Sequence, residues 1–340
     1  MREAVGFDVY AGGFTVGVKK HFKVVCHLEE GRFGTASAAK NHPDVAIHVG
    51  RASWPLAEMR GRRIGLLYGN PPCAGWSALT RKARTDEEKG GIKKGAETFF
   101  EVASALSPDA MVWETVSNAM KVDPGFVEDR GRECAAAGYR AYAVLFNGHH
   151  CGLPQNRKRL FFVASKFKIK FERPSGPRPT VRDAIGSVQG DPGPGYKGLQ
   201  SEVALLERCP PGVGGDLRTF WIKMGGVDVK DPATGKVRGK PPFVRKRCWW
   251  DRPAGSASGS PHLYHPDLPR PLTLLEFKLV CGYPADYEFV GTEYGKYAQM
   301  AKAVLPPPAE WIAGNVARAL DAAEPAEPGY EVVDFLSEKT

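Results

Sequence analysis

Between Phe7 and Ala164 the chain alternates short apolar runs with Gly-rich turns and longer mixed stretches, and this alternation limits the folds open to it. Val5 to Tyr10, Val24 to Leu28, Val45 to Val49, Ile64 to Tyr68, Ala110 to Glu114, Ala141 to Phe146 and Leu160 to Ala164 are predicted strands. Continuous apolar runs of this length suit strands covered on both faces, which calls for helices on either side of one sheet. An α/β, doubly wound, Rossmann-like domain is expected, with its ligands beyond the carboxyl ends of the strands. Tyr10 to Gly13, Glu29, Cys73 and Glu114 all fall at such ends and are therefore expected to converge.

The segment Gly69-Asn70-Pro71-Pro72-Cys73-Ala74-Gly75-Trp76-Ser77 follows a predicted buried strand. Two prolines stiffen the backbone, and the glycines permit close approach to a ligand. A cysteine on such a loop is placed to act as an attacking thiolate. An acid, Glu114, ends another apolar strand, and Arg157 and Arg159 precede the strand Leu160 to Ala164. Cationic groups near a thiol favour its thiolate.

Length allows one sizeable α/β domain and a smaller one. Of the net charge of +9, +8 lies between Lys168 and Trp250, which holds 16 Lys and Arg against 8 Asp and Glu. Neutralising phosphates is a direct use for such a segment. The stretch from about Phe167 to Pro269 is also rich in Gly and Pro, and aromatics interleave with its charge at Phe220-Trp221, Arg245-Lys246-Arg247 and Trp249-Trp250. Seven cysteines without a Cys-x-x-Cys pair, and no secretory signal, suit reduced thiols in a cytoplasm and give no metal frame. No apolar run is long enough to cross a bilayer, so no membrane partner is expected. Pro306-Pro307-Pro308 is expected to open a last helix, Ala309 to Ala322, and the acidic tail is expected to be peripheral.

In order along the chain, Phe7-Asp8-Val9-Tyr10-Ala11-Gly12-Gly13, the Pro-Pro-Cys loop, Glu114, Gln155-x-Arg157-x-Arg159, Arg270-Pro271-Leu272-Thr273 with Gly282-Tyr283-Pro284, and Tyr297 to Val304 resemble the motifs of the cytosine-C5 DNA methyltransferases, from Phe7 to about Leu320. The resemblance implies domains at 1–166 (catalytic and cofactor-binding) and 167–269 (loop-rich target recognition), a segment 270–325 rejoining the first, and a tail 326–340. It implies S-adenosylmethionine bound by Tyr10, Ala11, Gly12, Gly13, Phe14, Glu29, Asn70, Pro71, Lys302, Ala303 and Val304. Catalysis would fall to Cys73, Glu114, Arg157 and Arg159, and contact with double-stranded DNA to Ser77, Arg81 and Gln155 besides Arg245 and Arg247. Action as a monomer, without a metal, in the cytoplasm of a bacterial or phage-infected cell is the expectation.

The chain departs from the family pattern in a shortened cofactor loop, in Arg51 where an acid is usual, in Thr115 after Glu114, and in Ala301-Lys302 for Gly-Asn. Lys302 bears on the donor: an ammonium and a sulfonium about 4 Å apart repel by roughly 4 kcal/mol at an effective dielectric near 20. An alternative donor is carboxy-S-adenosylmethionine, whose carboxylate a lysine would pair with, giving 5-carboxymethylcytosine. Two other readings are a DNA-binding relic without chemistry and a tRNA-modifying branch of the same family. The second lacks support, since that branch's Cys-Phe-Thr motif is absent.

Overall fold

The computed structural model describes residues 1–72, 76, 86–188, 200–225, 229–230, 237–238 and 245–337, with side chains described outside 86–92, 200–201, 229–230 and 237–238. Cys73, Ser77 and Arg81 lie outside the described residues. The chain divides into two compact units, one of residues 1–148, 158–175 and 306–340, the other of 149–157 and 176–305.

The first unit is built on β1 (Glu3–Phe7), β2 (Lys23–Glu29), β3 (Ala46–Val49), β4 (Ile64–Gly69), β5 (Ala110–Val116), β6 (Arg140–Asn147), β7 (Lys158–Ser165) and β13 (Gly329–Asp334). Its helices are α1 (Gly13–Val18), α2 (Thr35–Asn41), α3 (Leu56–Met59), α4 (Asp86–Leu106), α5 (Ala119–Val122), α6 (Pro124–Ala136) and α12 (Pro306–Ala322). The strands form one sheet in the order β13-β6-β7-β5-β4-β1-β2-β3. The chain winds outward from β1 to β3 and returns to β4 on the other side of β1, so the order reverses between β1 and β4, where doubly wound sheets bind ligands.

Side-chain alternation divides the core between the two faces. Trp113 and Phe162, paired across β5 and β7, pack with Phe100, Phe126 and Trp76 on one face. Phe161 packs with Phe14, Phe146 and, through Phe146, Trp311 of α12 on the other. Gly17 lets α1 close on α12: a Cβ there would stand 2.3 Å from the Glu310 nitrogen.

The sheet is mixed, because β7 runs antiparallel to both β5 and β6. Two expectations are corrected here. The tail expected to be peripheral supplies an edge strand, β13, paired parallel to β6 from Gly329 opposite Arg140 to Asp334 opposite Leu145. An edge strand buries little, so its acidic composition hid it; Tyr330 packs into the space left by Gly131. The return to the first unit begins at Pro306 and not near residue 270.

The second unit contains α7 (Val181–Ile185), α8 (Gln200–Glu207), α9 (Leu217–Lys223), α10 (Leu274–Val280) and α11 (Glu293–Lys302). Its described strands are two-residue segments: β8 (Gly215–Asp216), β9 (Val229–Lys230), β10 (Val237–Arg238), β11 (Lys246–Arg247) and β12 (Leu263–Tyr264). Such short ladders satisfy few backbone groups, so the remainder need side-chain partners. Capping boxes at Thr180 and Thr273 start α7 and α10.

Candidate active site

At the carboxyl end of β1 the chain turns sharply into α1. Asp8 and Tyr10 have φ of 45° and 53°, and Gly12, the residue before α1, has φ of 82°. Left-handed backbone at non-glycine residues is strained and tends to mark functional sites. The turn is held from β2: the Val9 N–H donates to Glu29 Oε1 at 2.9 Å, and the Glu30 N–H donates to Asp8 Oδ1 at 2.8 Å. Burial raises the Asp8 pKa to about 6, against the backbone hydrogen bond from Glu30. Burial, followed by the neighbouring Asp8 charge, pushes Glu29 well above the usual carboxylate range. Two buried carboxyls held against ionisation suit a cationic, hydroxyl-bearing ligand, whose charge would favour their ionised forms.

Of the other expected cofactor residues, Ala11, Gly12 and Gly13 are buried in this turn, while Phe14 belongs to the core, its ring 4.9 Å from that of Tyr68. Beneath the turn lies a polar group that sequence reasoning missed. Thr15 Oγ1 is 2.9 Å from His27 Nε2 and 2.8 Å from the Tyr68 hydroxyl, and His42 Nε2 is 3.1 Å from the Gly12 carbonyl. A histidine inside the apolar run Val24 to Leu28 was the available signal.

The next strand end carries Asn70, Pro71 and Pro72. Asn70 is buried; its N–H donates to the Phe7 carbonyl at 3.2 Å, and its side-chain amide donates to the Glu114 carboxylate. Gly95 of α4 lies against the two prolines, where a Cβ would be 3.2 Å from each. Four residues after Pro72, Trp76 is packed against Trp113 and Phe126, and its carbonyl accepts the Asn118 side-chain amide at 2.8 Å.

Glu114 is 3% exposed and is held from two sides, by Asn70 and by Arg159, whose Nε lies 2.8 Å from Glu114 Oε1. The antiparallel β7 makes this contact: Glu114 faces Phe161, and Arg159, two residues earlier, shares that face as the diagonal neighbour. In a parallel strand the first residues of β7 would lie at the opposite end of the sheet.

The remaining expected site residues lie in the second unit, and the structure gives several a different role. Arg157 is buried, its guanidinium donating to the carbonyls of Ala257 at 3.1 Å and Ala301 at 2.7 Å. Gln155 is fully buried and accepts the Ala257 N–H at 2.9 Å. Arg247, also buried, donates to the carbonyls of His265, Cys209, Pro210 and Asp267. Arg245 pairs with buried Glu202 at 3.3 Å and donates to the Pro261 carbonyl at 2.8 Å. These side chains close a backbone that short strands leave unsatisfied; buried as they are, Gln155, Arg157 and Arg247 serve the framework here, and Arg245, half-buried, shares that role. Ala303 and Val304 are buried, and Lys302 is exposed at the end of α11, its Cε 3.5 Å from where a Cβ on Gly259 would stand.

Two departures from the family pattern have visible surroundings. Arg51 donates twice to Glu30 Oε1, at 3.0 and 2.9 Å, and reaches Glu101 and Thr98 of α4, so it ties the ends of β2 and β3 to that helix. Thr115 is fully buried, with no hydrogen bond to its hydroxyl among the described residues.

The six described cysteines are free thiols. Burial pushes Cys26 up to about 11 and Cys134, Cys248 and Cys281 up to about 12, and raises Cys151 and Cys209 as well. None of these is a ready thiolate at neutral pH.

Residues 7–318 match the C-5 cytosine-specific DNA methylase family. The chain belongs to that family and is a DNA cytosine-C5 methyltransferase. Among its relatives, the type II methyltransferase M1.HphI of Haemophilus parahaemolyticus is 25% identical over 77% of this chain and 70% of its own length. M.Eco47II of Escherichia coli is 25% identical over 86% of this chain and 73% of its own. The fold is similar to that of a prophage-encoded protein of Escherichia coli classed as a DNA modification methyltransferase, with a TM-score of 0.68 at 17% identity over 94% of this chain and 100% of that one. Spodoptera frugiperda DNMT2 superposes with a TM-score of 0.63 at 10% identity, over 93% and 99% of the two chains. No helix among the described residues is long and apolar enough to cross a membrane.

Proposed function

We propose that Cys73 is the nucleophile, that Glu114 with Arg159 is the polar end of the cytosine pocket, and that the turn Tyr10 to Gly13 with Glu29 receives S-adenosylmethionine. The observation that carries this reading is Glu114: a buried carboxylate held by Asn70 and Arg159 at the strand end beside the Pro-Pro-Cys loop. Cytosine C5 is a weak nucleophile because its electrons are delocalised in the ring. Addition of the Cys73 thiolate to C6 breaks that delocalisation and places electron density on C5. Glu114 accepts a hydrogen bond from the exocyclic amine and, in its acid form, gives its proton to N3 as the thiolate adds, so that the charge entering the ring is neutralised, while Arg159 fixes the carboxyl plane. After C5 is alkylated, loss of its proton expels Cys73 and restores the ring. S-adenosylmethionine, when bound, supplies the electrophilic methyl group.

Because a stacked base cannot reach a buried carboxylate, the substrate cytosine is flipped out of duplex DNA. The protein acts as a monomer on DNA in a bacterial cytoplasm, as its relatives' bacterial hosts suggest. Incubating protein and a cytosine-rich duplex with S-adenosylmethionine, and separately with carboxy-S-adenosylmethionine, then weighing the nucleosides after digestion, tests product and donor together. Methylcytosine is expected, absent with Cys73→Ser. Carboxymethylcytosine as the main product would instead assign Lys302 to the donor, and no product from either donor would sink the catalytic reading.

A further inference from the structure

Arg182 and Arg252 are held differently from the buried arginines of the same unit. Both are exposed, and each guanidinium lies over an indole: Arg182 over Trp250 at 5.1 Å from the ring centroid, Arg252 over Trp249 at 4.8 Å. The two stacks adjoin, because the backbone N–H groups of Val181 and Arg182 donate to the carbonyls of Arg252 and Trp250, each at 2.9 Å.

Both rings are braced from below. Trp250 donates its Nε1–H to Asp267 Oδ2 at 2.8 Å and meets His265 edge-on at 5.3 Å. Trp249 rests on backbone at Gly214, where a Cβ would be 2.6 Å from its ring. An indole engages the face of a guanidinium and leaves its in-plane N–H fork directed outward. Among the described residues neither fork donates a hydrogen bond or meets a carboxylate within ion-pair distance. The adjacent acids Asp183 and Asp267 are engaged elsewhere, Asp183 by the N–H and hydroxyl of Thr180 at 2.7 Å each. Asp251, exposed in the same turn, is the one neighbouring acid among the described residues without such a hydrogen bond.

A planar, braced, always-charged donor fork matches the two unesterified oxygens of a phosphodiester. We propose that Arg182 and Arg252 are a paired phosphate-binding site that anchors the DNA backbone on the second unit, a role that rests on DNA being the substrate. The pair fixes register without reading sequence.

Titrating a labelled duplex over a salt series with wild type, Arg182→Gln, Arg252→Gln, the double variant and the two lysine variants tests this. Each Gln substitution should lessen the slope of log K against log salt by about 0.9 and weaken binding about eight-fold at 0.1 M salt. The loss should be equal on duplexes of unrelated sequence, and S-adenosylmethionine affinity should not change. The lysine variants keep the charge and should keep the slope, which separates a lost contact from a damaged fold. An unchanged slope in the double variant, or a loss confined to one sequence, overturns the phosphate assignment alone. Wild type that binds no duplex at low salt overturns the DNA reading and this site with it.

Discussion

Arg159 and Arg247 are the same side chain put to opposite uses. In the first unit a continuous ladder satisfies the backbone, so Arg159 can give its charge to Glu114. In the second unit two-residue strands leave carbonyls without partners, and the buried Arg247 spreads its donors over four of them. Whether an arginine becomes chemistry or framework thus depends on how much of the local backbone is already paired.

The strongest attempt to break this contrast is Glu114→Gln, which keeps shape and removes charge. Single-turnover methylation should slow by about 10²–10⁴-fold in a protein that urea unfolding still shows to be folded. A slowing under three-fold would move Glu114, and Arg159 with it, to the framework class. Arg247→Met should do the reverse, costing about 3 kcal/mol in urea unfolding because buried carbonyls lose their donors. Wild-type stability in that variant would mean water replaces the guanidinium and the contrast is false.

Acid sensitivity sharpens the picture within the first unit. Burial depresses His27 to about 3, and His42 to about 4 against its Gly12 hydrogen bond. An unfolded histidine binds its proton near 6.5, so the unfolded state holds more protons between the two values. The stability from each neutral histidine is complete above about pH 6.5 and is lost as pH falls towards 4 and 3. Asp8, raised to about 6, opposes this: its contribution is complete below about pH 3.8 and lost as pH rises through 6. Glu29, raised well above the usual carboxylate range, opposes the histidines in the same direction as Asp8, so the test is a difference: His42→Gln should lessen the gain in stability, or deepen the loss, between pH 4.5 and 6.5 relative to wild type, measured by thermal melts. A pH dependence that His42→Gln leaves intact would assign it elsewhere. The smallest effect is expected for Arg51→Ala: its exposed pairs are worth under about 1 kcal/mol, so a larger loss would show that the tie to α4 is cooperative.

Much of the first unit was legible along the chain. The seven apolar runs of the amino-terminal half all form strands, and Glu29, Asn70 and Glu114 fall at their ends, because burial on both faces writes itself into consecutive residues. The edge strand β13 was not legible, since a strand with one open side needs little apolar character. Nor was the use of the second unit's arginines: charge was counted correctly, but Arg247 stands inside and Arg245 half-buried, while Arg182 and Arg252 stand outside.

Strand identity, the Pro-Pro-Cys loop and the cysteine-acid-arginine order are local properties, carried by consecutive residues and therefore decided by the chain alone. The pairing of Glu114 with Arg159 is not local. It required β7 to run antiparallel beside β5, and that direction depends on how the chain returns to the sheet. Which arginines face solvent was likewise decided only by folding, because the backbone groups they must satisfy come from segments distant in sequence.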